Sequence, residues 1–209
     1  MIKILIADDH PSIRKGVKQI LTDEFSEIEF GEAASASEVL KKVKEKEWNV
    51  LIMDMDMPGR SGLEALKQLK EEDIDIKVLI FSLHPEEQVA LRALKAGAYG
   101  YLSKDAADGE LVKAIRLIMT GKRYITPTVA EQLAKQLENP EDKAPHEFLS
   151  DREYQTLLLI ASGKTVSEIA EALSLSTPTI STYRMRILEK MHMKTSAELT
   201  TYAIRSNLV

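Results

Sequence analysis

Residues 50–62, VLIMDMDMPGRSG, decide how the rest of the chain is read. Four apolar residues, Val50 to Met53, stop at a carboxylate, Asp54. A second carboxylate follows at Asp56, and Pro58 with Gly59 turns the chain. An apolar run that ends abruptly in aspartate is the pattern of a buried strand delivering one acid to a loop. A carboxylate placed there can act as a nucleophile and form an aspartyl phosphate, provided that neighbouring groups offset the charge of the incoming phosphoryl group.

On either side of this stretch, strand-like and helix-like runs alternate through residue 121, which predicts a parallel sheet with crossover helices. The strands are KILIA (3–7), a weaker IEFGEA (28–33), VLIM (50–53), KVLIF (77–81) and YGYL (99–102). The first helix is entered through Pro11 and marked by Ile13, Val17, Ile20 and Leu21; the second opens with a capping box at Ser35 and Glu38. Leu63, Leu66 and Leu69 mark the third. The fourth and fifth are stopped by Gly97 and Gly121. Five strands suffice for a doubly wound, flavodoxin-like sheet.

Val129, Leu133 and Leu137, spaced by four, predict a short helix, and ENPEDKAPHEF (138–148) after it has two prolines, four acids and no periodicity. The expected organisation is therefore a domain over residues 1–121, a linker with a short helix over 122–148, and a second, all-helical domain over 149–209. The second carries three S/T-x-x-E boxes, Ser150/Glu153, Thr165/Glu168 and Thr195/Glu198, with a helix opened by Ser176 and Pro178 between the last two. That makes four short helices.

Of the 209 residues, 44% are hydrophobic and 29% charged, an ordinary globular composition. No apolar run approaches the ~20 residues of a membrane helix, and MIKILIADDH turns acidic too early for a signal peptide, so a cytoplasmic protein is expected. The absence of cysteine excludes disulfides and thiolate metal sites. The net charge of −5 is uneven: residues 149–209 carry seven Lys and Arg against six Asp and Glu, and the remainder is acidic.

Ligands of a doubly wound sheet bind beyond the carboxyl ends of its strands. The polar residues there are Asp8 and Asp9 after the first strand, Asp54 after the third, Ser82 after the fourth and Lys104 after the fifth. Three carboxylates raise one another's pKa unless a cation sits among them, and Mg²⁺ prefers one or two carboxylates with waters and phosphate oxygens. The chemistry divides the work: Asp54 attacks phosphorus, Asp9 with Asp54 holds Mg²⁺, and Asp8 acts through bound water. Lys104 and Ser82 bond the phosphoryl oxygens. Any one aspartate at a strand end could instead be a cap, as Asp9 could be for the helix at Pro11. His10 and His84 flank the pocket as exposed polar residues.

In order and spacing, Asp8-Asp9, Asp54 with MDMPGRSG after it, Ser82, and GYLSK ending at Lys104 resemble the receiver domain of two-component response regulators over residues 1–121. The resemblance implies that Asp54 is the phospho-acceptor, that the backbone carbonyl of Asp56 is a further Mg²⁺ ligand, and that Ser82 and Tyr101 form a switch pair. Asp105 stands where many receivers have proline. The Asp54-x-Asp56 pair is also similar to the nucleophile loop of haloacid-dehalogenase-like phosphatases. Against that reading, the other acids sit on the first strand, Met57 and Pro58 follow Asp56, and no cap domain is present.

In the rear domain, Tyr154, Leu157, Leu158 and Ala161 form one face of a helix ending at Gly163, Thr165 opens a second, LSLS (173–176) turns the chain, and residues 176–191 form a third. Helix, tight turn, helix is the arrangement that places its second helix in a DNA major groove. Ile180, Ile187, Leu188 and Met191 are its inward stripe. Thr177, Ser181, Thr182, Arg184, Met185 and Arg186 are left outside, with Tyr183 at the edge, a hydroxylated and cationic face suited to phosphates and bases.

This region resembles the LuxR-type helix-turn-helix of NarL/FixJ regulators along its full length, with Ser181, Tyr183 and Arg186 departing from that family's usual Lys, His and Asn. The resemblance implies a third helix that reads the groove and a fourth that forms a dimer contact. The whole chain is thus expected to be a transcription factor. A sensor histidine kinase or a small acyl phosphate charges Asp54, and the protein then dimerises and binds double-stranded DNA.

Overall fold

The computed structural model describes residues 1–106, 108–138, 144–206 and 208–209, and the chain divides into two compact units, Met1–Lys135 and Gln136–Val209. The first is built on five parallel strands, β1 (Ile2–Ala7), β2 (Ile28–Ala33), β3 (Val50–Met53), β4 (Lys77–Ser82) and β5 (Gly100–Ser103), in the order β2-β1-β3-β4-β5. Four helices connect them, α1 (Pro11–Glu24), α2 (Ala36–Glu45), α3 (Gly62–Glu71) and α4 (Glu86–Ala96), and α5 (Asp108–Met119) follows β5.

All four residues of β3 are buried, because helices cover both faces of a central parallel strand and no polar alternation survives there. Ile4, Leu5, Ile6, Leu51, Ile52, Leu79 and Ile80 are at most 1% exposed. Each such side chain contributes roughly 1.5–3 kcal/mol by leaving water. β2 is the sheet edge and only Ala33 in it is buried, which explains its weak apolar signal. Gly31 in its middle is required by packing, since a Cβ there would lie 2.3 Å from the Trp48 ring.

The strand order reverses direction at β1 and β3, which pair directly. Ala7 stands opposite Met53, so the acids that follow each strand emerge side by side, and the Asp54 amide donates to the Ala7 carbonyl at 2.8 Å. Ser82 stands opposite Ser103, and the Lys104 amide donates to the Ser82 carbonyl at 2.8 Å. All the strand-end residues singled out above therefore lie at one end of one sheet.

Helix ends follow the capping chemistry with some differences. Ser35 accepts from the Glu38 amide, but the Glu38 carboxylate reaches the Ala34 amide rather than that of Ser35. Full boxes form at Ser61/Glu64, Ser150/Glu153 and Thr165/Glu168. His10, not Asp9, is the N-cap of α1, and it makes no side-chain cap bond.

The packed α/β unit continues past residue 121. The Tyr124 amide donates to the Tyr99 carbonyl at 2.8 Å, Tyr124 forms a parallel bridge with Gly100, and its ring is buried against the core. Next comes α6 (Pro127–Glu138), close to the short helix expected there. Of the polar linker, residues 139–143 lie outside the described residues, and Pro145–Phe148 form a single 3₁₀ turn.

The second unit holds α7 (Asp151–Ala161), α8 (Val166–Ala172), α9 (Thr177–Lys190) and α10 (Ser196–Arg205). α7 packs against α9 and α10, and α8 against α9. Leu157, Ile169, Ile180, Ile187, Leu199 and Ala203 are fully buried at their meeting point. The 3₁₀ turn joins this unit through His146, whose Nδ1 lies 2.7 Å from the Tyr202 hydroxyl.

Candidate functional site

Asp8, Asp54 and Ser82 are at most 4% exposed, and the Lys104 side chain is 5% exposed. Such burial of charge is tolerable only with partners. The Lys104 ammonium lies 2.6 Å from Asp8 Oδ2 and 3.1 Å from Asp54 Oδ1, joining acids from two strands. Asp54 Oδ1 also accepts from the Met55 amide at 2.8 Å, and Asp8 Oδ1 from the His10 amide at 2.8 Å. Local chain geometry places the nucleophile loop: the Gly62 amide donates to the Met55 carbonyl at 2.9 Å, and a Cβ at Gly62 would stand 2.2 Å from the Asp54 carbonyl oxygen. Only glycine allows α3 to begin so close to Asp54.

Burial pushes the Asp54 carboxyl up to about 6; Lys104 opposes this, and the Asp8 and Asp56 charges add to it. Burial works against the Lys104 ammonium, but Asp54 and Asp8 outweigh it and raise its pKa. One lysine therefore does not balance the acids. Asp8, Asp9 and His10 bring one ligand atom each to within 4.8 Å of one another. Carboxylate oxygens so arranged fit a divalent cation with oxygen preference, such as Mg²⁺.

His10 and His84 are closer to the pocket than their exposed loops implied. His10 Nδ1 lies 2.8 Å from Asp9 Oδ1 while its ring remains largely exposed. His84 Nε2 lies 2.7 Å from Asp56 Oδ2; burial works against its charge, but Asp56 prevails and raises its pKa. The Asp56 side chain thus points to His84 and the Asp54 side chain to Lys104, so the two acids of the DMD triplet are not equivalent. Tyr101 is buried, its hydroxyl donates to the His84 carbonyl, and the His84 amide donates to Ser82 Oγ at 3.3 Å. Tyr101, His84 and Ser82 thereby form one connected path. The signal for His84 was only its position two residues after Ser82.

In the helical unit, α8 ends at Ala172 with Leu173 as its C-cap, and the chain turns at Ser174, which adopts φ 53°. Ser176 then caps α9 by accepting from the Thr179 amide. On α9, Ile180 and Ile187 are buried, and Met191 just beyond it is too, while Leu188 is half-buried. Thr177, Ser181, Thr182, Met185 and Arg186 are exposed, and Tyr183 and Arg184 are half-buried. Ser181 and Thr182 donate to the carbonyls of Thr177 and Pro178, each at 3.0 Å. Arg184 is less free than its helical position implied, because its Nε donates to Ser196 Oγ at 2.7 Å and so ties α9 to the start of α10.

Residues 4–116 match the response regulator receiver domain family, and residues 147–203 match the bacterial regulatory proteins of the luxR family. The chain belongs to the response regulators. UvrY of Escherichia coli K12 is 39% identical over 209 residues, an alignment covering all of this chain and 96% of UvrY. GacA of Pseudomonas protegens is 41% identical, covering all of this chain and 98% of GacA. A solved structure of two RcsB dimers bound to two parallel DNAs is 25% identical, covers 96% of this chain and 97% of that one, and has a TM-score of 0.59. This response regulator is thus of the NarL/FixJ type, a two-component transcription regulator with a LuxR-type helix-turn-helix. Its family is one of DNA-binding regulators rather than classical enzymes. Among its described residues no helix is long and apolar enough to cross a membrane.

Proposed function

We propose that this response regulator is switched by phosphorylation of Asp54. The observation that carries the reading is the convergence of Asp8, Asp9, Asp54, Ser82 and Lys104 at one end of the sheet, with Asp54 buried and incompletely balanced by Lys104. Asp9, Asp54 and the Asp56 carbonyl would hold Mg²⁺, with Asp8 acting through water. When bound, the ion supplies charge neutralisation for the phosphoryl oxygens. An Asp54 carboxylate oxygen forms the bond to phosphorus as the bond from phosphorus to the donor, a kinase histidine or an acyl oxygen, breaks. Lys104 gives a phosphoryl oxygen an ammonium in place of the carboxylates it now faces, and Ser82 offers a hydroxyl.

Ser82 is also the first member of the path through His84 to Tyr101, so drawing its hydroxyl toward a phosphoryl group loosens one bond of that path. Phosphorylation adds about two negative charges and new hydrogen bonds, enough to bias a two-state element. We infer that phosphorylation of the receiver promotes dimerisation and DNA binding.

The α9 face, with Thr177, Ser181, Thr182, Tyr183, Met185 and Arg186, enters the major groove of double-stranded DNA, and Arg184 and Arg186 contact phosphates. The α10 surface suits a second copy: Ile204 there is 57% exposed, and a groove of about 390 Å³ is lined by Met193, Ala197, Glu198, Thr201, Tyr202 and Arg205. Two copies would meet half-sites about one helical turn apart. The partner that charges Asp54 is a sensor histidine kinase, and the setting is the cytoplasm.

Incubation with a small acyl phosphate and Mg²⁺ tests the chemistry. The expected result is a mass gain of one phosphoryl group on the native chain and none on Asp54→Asn. No gain on either chain would refute it.

A further inference from the structure

Arg14 takes no part in the chemistry assigned above. It sits in the first turns of α1 with its side chain only 14% exposed. Its Nη1 donates to the backbone carbonyl of Asp8 at 2.6 Å, and its Nε donates to Glu32 Oε2 at 2.7 Å. Glu32 lies near the carboxyl end of β2, and its other oxygen takes the Lys18 ammonium. A guanidinium is planar, so the two bonds leave it in a fixed fork.

The carbonyl that Arg14 holds belongs to the peptide joining Asp8 to Asp9. Because that unit is planar, fixing its oxygen fixes the direction in which the Asp9 backbone leaves, and with it the angle between two consecutive carboxylates. The rest of Asp8 is tied as well: its amide donates to the Ala33 carbonyl at 3.1 Å, Oδ1 accepts from His10, and Oδ2 faces Lys104. The Asp9 side chain, 30% exposed, departs from this plane, and its Oδ1 meets His10 Nδ1 at 2.8 Å.

The geometry points to Arg14, braced by Glu32, as the positioning residue that sets the angle between Asp8 and Asp9 and so tunes the pocket's affinity for a divalent cation. Arg14 and Lys18 hold the Glu32 carboxyl below its ordinary range, so the brace stays ionised. The inference rests on the proposed reading of Asp8 and Asp9 as cation-holding groups. Groups that orient metal ligands in this way typically change affinity 10–100-fold.

The test is calorimetric titration of the full-length chain with Mg²⁺, alongside the rate of phosphorylation by an acyl phosphate as a function of Mg²⁺. The variants are Arg14→Met, Arg14→Lys and Glu32→Gln. Arg14→Met should bind Mg²⁺ about 10–100-fold more weakly yet reach the native rate at saturating Mg²⁺. Arg14→Lys, which can reach one acceptor but not both, should fall between, and Glu32→Gln should show a smaller loss of affinity. Native Mg²⁺ affinity in Arg14→Met overturns the inference, as does a lowered saturating rate with unchanged affinity. If Arg14→Met does not fold, the affinity of Glu32→Gln decides. Failure of the native chain to bind Mg²⁺ would instead overturn the reading of the pocket.

Discussion

Replacing the central acid by its neutral isostere should stabilise the receiver. Asp54 is 4% exposed, and its carboxyl is pushed from an ordinary 3.8 to about 6 by burial and by Asp8 and Asp56, so keeping it ionised in the folded chain costs free energy. A folded-state pKa above the unfolded value means that stability is fully present below the lower value and is lost as pH rises through the upper one. Linkage puts the cost at about 3 kcal/mol at pH 7.5, about half of that at pH 5 and under about 1 kcal/mol at pH 4. Asp54→Asn should gain stability on that scale at neutral pH, and the gain should shrink on acidification. Lys104 is not stranded by the change, because Asp8 Oδ2 remains 2.6 Å away.

The assay is urea unfolding in Mg²⁺-free buffer, followed by fluorescence. Trp48 is the sole tryptophan; it packs over Gly31, and its indole donates to the Lys42 carbonyl, so it reports the α/β unit within the full chain. An Asp54→Asn chain less stable than the native one at pH 7.5, or a difference independent of pH, would refute the picture of an over-charged pocket.

Three further perturbations follow from contacts described above. Gly62→Ala drives a Cβ into the Asp54 carbonyl oxygen, so a loss of about 1–3 kcal/mol and a lower phosphorylation yield are expected; native yield would show that α3 can shift freely. Burial opposes the Glu153 charge, yet the Lys190 ammonium at 2.6 Å and the Ser150 amide at 2.8 Å hold its carboxyl below its ordinary range. Its contribution is therefore present above about pH 4.5 and lost as pH falls further, and Glu153→Gln should cost about 1.5–3 kcal/mol at pH 7, read by hydrogen exchange in α7 and α9. Arg186 is exposed on α9, so Arg186→Ala should lower the slope of log affinity against log salt by about 0.9 in DNA anisotropy titrations, whereas weaker binding with an unchanged slope would assign it to a base.

The central sheet was legible because β1 and β3 are apolar runs that each end in aspartate, and a parallel strand covered on both faces leaves no other reading. Chain order then put Asp8, Asp9, Asp54, Ser82 and Lys104 at one end of the sheet. What local pattern could not show is which polar groups meet across the fold. Arg14 and Glu32 are 18 residues apart, and their pairing depends on β2 lying beside β1. Likewise, nothing in the spacing of Asp56 and His84 announces a 2.7 Å contact. Arg184 had the look of a free cation on a helix face until α10 brought Ser196 to it. Tyr124 was read as linker because a single bridging residue has no periodicity, although β5 takes it as a neighbour.

If the state of Asp54 sets DNA binding, the difference is read most directly by comparing the native chain with and without acyl phosphate and Mg²⁺. Affinity and stoichiometry are read on one DNA duplex carrying two half-sites. Phosphorylated protein should bind more tightly and as two copies, with no change in Asp54→Asn. Equal affinity and equal stoichiometry in both states of the native chain would show that phosphorylation of Asp54 does not control DNA binding.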